Sequence, residues 1–194
     1  MIKKYIVGIT GASGSIYGIR LLQELLKKNM EVHLIISDNG KKIIQDEIGK
    51  TADNIIDELK DNYSNLTTHD INNMASSIAS GFFKINGMII MPCSMATLAE
   101  IAMGISKNLL GRSAEVCLKE RRKLIIVPRE TPLNNIHLRN MLYLSEAGAE
   151  ILPAMPGFYH KPETINDMVD FIVGKVLENL NIRNNLLKNF SEDQ

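Results

Sequence analysis

The sequence predicts a single-domain α/β sandwich of three layers, a parallel sheet covered by helices on both faces. Apolar strand-like runs alternate with helix-patterned stretches along the whole chain. The strand runs lack polar alternation, as strands buried on both faces do. Small-residue turns follow these runs and open directly into helices, which is the rhythm of βα units. Rossmann-like and flavodoxin-like strand orders both fit that alternation, and periodicity leaves the choice open.

The elements follow in order. Residues 5–10 (YIVGIT) read as a buried strand and residues 15–28 as an amphipathic helix with Ile19, Leu21, Leu22, Leu25 and Leu26 inward. Residues 31–37 (EVHLIIS) are a second strand, followed by helical text to about residue 60. The polar, Asn-rich stretch 61–75 reads as a loop. Residues 88–91 are a third strand, with helices over 95–104 and 108–121; residues 123–127 (KLIIV) are a fourth, with a helix over 134–147. A short fifth strand starts at 150–152, and 163–180 is the last long helix. The expected division is an α/β domain over 1–180 and a tail over 181–194, an extension or an arm for a neighbour.

Composition narrows the function. At 194 residues the chain is long enough for one full core. Lys+Arg 22 against Asp+Glu 22 leaves no net charge, which argues against a general nucleic-acid or membrane-surface binder. Two cysteines, Cys93 and Cys117, make neither a metal site nor a disulfide framework. No apolar stretch approaches the roughly 20 residues of a membrane span, and no leader pattern is seen, so a cytoplasmic protein is expected.

In open parallel sheets ligands bind beyond the carboxyl ends of the strands, which selects four loops. The first, Gly11-Ala12-Ser13-Gly14-Ser15, lets a backbone approach a ligand closely and offers helix N-terminal N–H groups to a phosphate. A tight turn with a serine cap reads equally well. It is neither G-x-G-x-x-G nor a P-loop. The second starts at Ser37-Asp38, a ribose holder or an ordinary helix cap. The third, Pro92-Cys93-Ser94-Met95-Ala96-Thr97, sets two hydroxyls at a helix start. The fourth, Pro128-Arg129-Glu130-Thr131-Pro132, sets opposite charges side by side in a stiff turn, either as a site or as an ion pair. Arg112 and Lys119, two turns apart on one helix, could meet a phosphate.

Four ordered blocks, GITGASGSIYG, MPCSMATLAEIAMG, GRSAEVCLKERRKLIIVPRETPL and ILPAMPGFYHKPETINDMVDF, resemble the UbiX-type flavin prenyltransferases. The resemblance implies that Gly11, Ala12, Ser13, Ser37, Ser94, Met95, Ala96, Thr97 and Arg129 bind FMN. It gives Tyr159 and Lys175 to a prenyl phosphate, with Arg112 beside them, and Glu130, Glu47 and Lys119 to catalysis. It implies transfer of a dimethylallyl group from dimethylallyl phosphate to N5 and then C6 of reduced FMN, without a metal. The product would pass to a UbiD-type decarboxylase, and the enzyme would be a homo-oligomer, commonly a dodecamer, with sites shared between subunits.

Three departures from the family pattern stand out. Lys175 replaces a frequent arginine, Phe82 a common serine, and Met74 lies where some members carry tryptophan. Two other readings remain: a flavin-dependent cysteine decarboxylase, whose PASANT-like block is PCSMAT here, and a flavin-binding accessory subunit without turnover.

Overall fold

A computed structural model describes residues 2–186 of the chain. The first strand, β1 (Lys4–Ile9), leads into α1 (Ser15–Lys27), β2 (Glu31–Ile36), α2 (Asp38–Ile48) and α3 (Ala52–Asn62). Then come β3 (Leu66–His69), a 3-10 turn at Ser77–Ala79, β4 (Gly87–Cys93), α4 (Met95–Ala102) and α5 (Leu109–Lys119). The chain continues through β5 (Lys123–Pro128), α6 (Asn135–Glu146), β6 (Glu150–Ile151) and α7 (Ile165–Asn179).

All strand pairs are parallel, in the order β3-β2-β1-β4-β5-β6. That is the Rossmann order, and its switch point lies between β1 and β4. The sheet separates two cores by strict alternation. Tyr5, Val7 and Ile9 face the core shared with α1, α2, α3 and α7, whereas Ile6 faces the core shared with α4, α5 and α6. β1, β2, β4 and β5 are almost wholly buried, which is why they read as unbroken apolar runs.

Two features differ from the sequence expectation. Residues 61–75 are not all loop, because Leu66–His69 pairs with β2 as an edge strand. Only Leu66 is buried there, so the strand carries too little apolar signal to stand out. The helical text to residue 60 is two helices. Gly49 ends α2 in the left-handed region (φ 75°), and the Thr51 hydroxyl caps α3 by accepting from the Asn54 N–H.

Ile182 is buried, and the Asn184 side-chain amide donates to the Gly174 carbonyl at 3.4 Å, so the chain folds back along α7. The rest of the expected tail, 187–194, lies outside the described residues. Cys93 and Cys117 are buried thiols. Burial pushes Cys117 up to about 12, against the opposing pull of Arg122. Neither thiol is placed to act as a nucleophile.

Candidate active site at the strand ends

The carboxyl ends of β1, β2 and β4 bring three hydroxyl residues to one small hollow of about 20 Å³, lined by Thr10, Ser37 and Thr97 with Glu100 and Asn108. Ser37 is the N-cap of α2, its Oγ accepting from the Gly40 N–H at 3.0 Å. Its own O–H proton remains for a ligand, so the cap and site readings coexist. Ser94 caps α4 in the same way. Its Oγ accepts from the Thr97 N–H at 3.3 Å and donates to Thr97 Oγ1 at 3.1 Å, which leaves the Thr97 hydroxyl proton as the donor. Met95, Ala96 and Thr97 form the first turn of α4, with Met95 buried beneath it.

The first loop is capped from a distance. Gly14 is the N-cap of α1 in the left-handed region (φ 97°) and has no side chain to cap with. The Glu47 carboxylate of α2 does so instead, accepting from Gly14 N (2.9 Å), Ser15 N (2.8 Å) and Ser15 Oγ (2.7 Å). Partial burial opposes its charge, but the Ser13 and Ser15 hydroxyls and the Gly14 and Ser15 amides outweigh that and hold its pKa below the ordinary carboxylate value. The serine-cap expectation is therefore corrected: the anion at this helix start is Glu47. Nothing near Glu47 in sequence signals this, because its partners lie 32 and 33 residues away. Gly11 packs so closely on α2 that a Cβ would lie 2.6 Å from the Asn39 Cβ.

In the fourth loop Arg129 does not pair with Glu130. The Arg129 Nε donates to the Ser13 carbonyl at 3.2 Å, tying the β5 loop to the first loop. Glu130 accepts from the Thr131 N–H at 3.0 Å and is half-buried. Among the described residues no ion pair joins the two, so both charges stay available to a ligand.

The remaining expected residues lie outside this cluster. On α5, Arg112 bonds Glu115 (3.0 Å) and the Ala79 carbonyl (3.2 Å), and Lys119 pairs with Glu120 at 2.8 Å. On the opposite face of the sheet, Lys175 of α7 pairs with Glu178 at 3.0 Å. Tyr159 packs edge-on against Phe171 at 5.6 Å between centroids, and Phe171 lies one turn before Lys175. Within one chain, then, Tyr159 and Lys175 share a side of α7, while Arg112 and Lys119 are across the sheet. A second groove of about 680 Å³ between α1, α3 and α7 has rim charges that pair with each other, Arg20–Asp170 and Lys50–Glu58.

A Rossmann-ordered sheet with hydroxyls, two capped helix starts and an arginine gathered at its switch point defines a nucleotide-binding class of fold. A family model described as Flavoprotein matches residues 1–177. The chain is 51% identical to a flavin prenyltransferase UbiX of Halalkalibacterium halodurans, covering 98% of this chain and 94% of the relative. It is 50% identical to one of Methanocaldococcus jannaschii, covering 95% and 97%. It superposes with a TM-score of 0.93, at 40% identity and 100% coverage of both chains, on a crystal structure of AnUbiX in complex with FMN and dimethylallyl pyrophosphate. A dodecameric FMN-dependent Ubix-like decarboxylase of Escherichia coli matches at a TM-score of 0.90 and 43% identity, over 97% of this chain and 99% of that one. The chain belongs to the UbiX-type flavin prenyltransferase family.

Proposed function

We propose that this chain is a flavin prenyltransferase, joining a dimethylallyl group from dimethylallyl monophosphate to N5 and C6 of reduced FMN. The observation that carries the reading is the full-length match to AnUbiX with FMN and dimethylallyl pyrophosphate, in a chain whose hydroxyl loops converge at the switch point.

The donor set fits a flavin nucleotide. Gly11, Ala12 and Ser13, the hydroxyls of Ser37, Ser94 and Thr97, the first turn of α4 through Met95 and Ala96, and Arg129 supply hydrogen bonds and one positive charge for its phosphate and polar edge. Glu47 rigidifies the first loop by filling the α1 start, which leaves the phosphate to the residues before Gly14 and to Arg129. Bound there, reduced FMN supplies the nucleophilic ring atoms. The protein must hold the departing phosphate and position the allyl carbon. Tyr159 and Lys175 on one side of α7 suit the phosphate of the prenyl donor, and Arg112 and Lys119 suit it from across the sheet, by way of a neighbouring subunit. Charge-assisted contacts strengthen as the C–O bond breaks and charge gathers on the leaving oxygen. Glu130, half-buried and free of Arg129, is the group to carry protons from N5 and C6. Closure between subunits keeps water from the allyl fragment.

The assembly is a homo-oligomer, which we take to be a dodecamer on the pattern of the Escherichia coli relative. No helix among the described residues is long and apolar enough to cross a membrane, and we place the enzyme in the cytoplasm. We take residues 1–180 as the flavin-binding domain and 181–194 as its tail, with the product passing to a UbiD-type decarboxylase. The test is anaerobic incubation of the protein with reduced FMN and dimethylallyl phosphate, followed by mass spectrometry of the flavin. The expected product is FMN carrying one added dimethylallyl unit; recovery of unaltered FMN overturns the reading.

A further inference from the structure

We propose that Thr10 is a positioning residue for the flavin site, its hydroxyl locking the first loop to the start of α4. The inference rests on the flavin reading above but on observations of its own. The β1–β4 ladder pairs Tyr5 through Gly8 with Gly87 through Ile90 and goes no further in register. Beyond it β4 contains Pro92, which has no N–H to give, and the β4–β5 register shifts between Ile90 and Cys93. The two strands that flank the switch point would part where the ligand-binding loops begin.

Thr10 closes that gap. Its N–H donates to the Pro92 carbonyl at 3.2 Å, and its Oγ1 donates to the same carbonyl at 2.9 Å. The same oxygen accepts from the Ser94 N–H at 2.7 Å. Thr10 is 1% exposed, so water cannot readily stand in for these bonds. The hydroxyl thereby gives the Pro92 carbonyl a second bond beside that of the Thr10 N–H, and by accepting from the Ser94 N–H it fixes the peptide plane entering α4. With that plane fixed, Ser94 holds its extended N-cap conformation (φ −72°, ψ 152°) and its Oγ meets the Thr97 N–H. Thr10 also lines the hollow shared with Ser37 and Thr97, so its position sets the spacing of the flavin-facing hydroxyls. It acts through Ser94 and Thr97 rather than as a group of the reaction.

Thr10→Val keeps the shape and removes both hydroxyl bonds, Thr10→Ser keeps the hydroxyl, and Asn65→Ala is the control. Asn65 donates to the Leu26 and Met30 carbonyls at the other end of the sheet, so its loss lowers stability without touching the site. FMN affinity by fluorescence titration, thermal unfolding, and the KM for dimethylallyl phosphate at saturating reduced FMN are measured for each. We expect Thr10→Val to weaken FMN at least about tenfold with the prenyl-phosphate KM within about twofold of the parent. Thr10→Ser restores affinity to within about threefold, and the control Asn65→Ala lowers the melting temperature while FMN affinity holds. If the parent binds FMN and Thr10→Val binds it equally well, the positioning role is wrong while the flavin reading stands; if the parent itself fails to bind FMN, both fall. Should Thr10→Val not fold, Thr10→Ala carries the same expectation, and parent-like FMN affinity in it overturns the proposal.

Discussion

Glu130 and Ser13 sit in neighbouring loops, yet they call for opposite experiments. Glu130 accepts from the following amide and is half-buried. Glu130→Gln keeps that acceptor oxygen, so FMN binding should persist while single-turnover prenylation slows by roughly 10²-fold, as loss of a proton carrier does. Ser13 lies between Arg129, which binds its carbonyl, and Glu47, which its hydroxyl helps to hold. Ser13→Asp adds a carboxylate beside Glu47 and against the FMN phosphate, and titration should show FMN binding weakened tenfold or more. Lys175 is paired with Glu178 on an exposed turn, an arrangement of little energetic weight by itself. Lys175→Ala is expected to raise the KM for dimethylallyl phosphate with FMN affinity unchanged, and Lys175→Arg to retain activity. An unmoved KM in the alanine variant would reduce Lys175 to a solvated helix residue.

The edge of the sheet carries a polar chain that the apolar pattern conceals. His33 of β2 is buried, with Nδ1 2.9 Å from His69 Nε2 of β3 and Nε2 3.1 Å from Glu31 Oε1. Ser76 reaches His69 Nδ1 at 2.8 Å, and Lys4 pairs with Glu31 at 2.8 Å. Both rings can be neutral with every nitrogen satisfied: Ser76 donates to His69, His69 to His33, and His33 to Glu31. Burial lowers both histidine pKa values below 6.5. Glu31 pulls His33 the other way, and the positive charge of Lys4 adds to the lowering. A histidine that is harder to protonate when folded takes up protons on unfolding. Its stabilising contribution is therefore fully present above about pH 6.5, the unfolded value, and is lost as pH falls from there through the lower folded-state pKa. The melting temperature should decline between pH 7.5 and 5.5, and His69→Gln should flatten that slope; an identical slope in the variant would remove the histidines from the account. The same chain explains why so short and polar a strand as β3 holds its place.

At the scale of the molecule, one chain leaves large apolar side chains in water. Phe82 is 95% exposed, and Ile136, Leu142 and Tyr143 of α6 are more than half exposed. Met155, Phe158 and Ile165 add to this around the loop before α7. Exposed apolar surface of this kind marks an interaction site, and we assign it to the subunit contacts of the proposed homo-oligomer. Leu142→Asp should yield smaller species by native mass spectrometry. Prenyl transfer should fall with assembly, because Arg112 and Lys119 lie across the sheet from Tyr159 and Lys175 in any one subunit. Full activity from a dissociated variant would place the whole site within one chain.

What the sequence by itself determined is what local chemistry encodes. Buried strands announce themselves by unbroken apolar runs, and α1 and α7 by helical periodicity. The strand-end loops follow from the rule that parallel sheets bind at their carboxyl ends, and the four motif blocks carry the family. Tertiary structure decided whatever depends on partners distant in the chain. The order of β1 and β4 set the switch point, Glu47 reached back to cap α1, and Arg129 chose the Ser13 carbonyl over its neighbour Glu130. Thr10, an apparent strand terminus in sequence, became the joint between two loops because Pro92 and Ser94 arrive beside it from 82 and 84 residues away. A hydrogen bond depends on the distance between its atoms in space, and sequence spacing reveals that distance only within a helix turn or a strand.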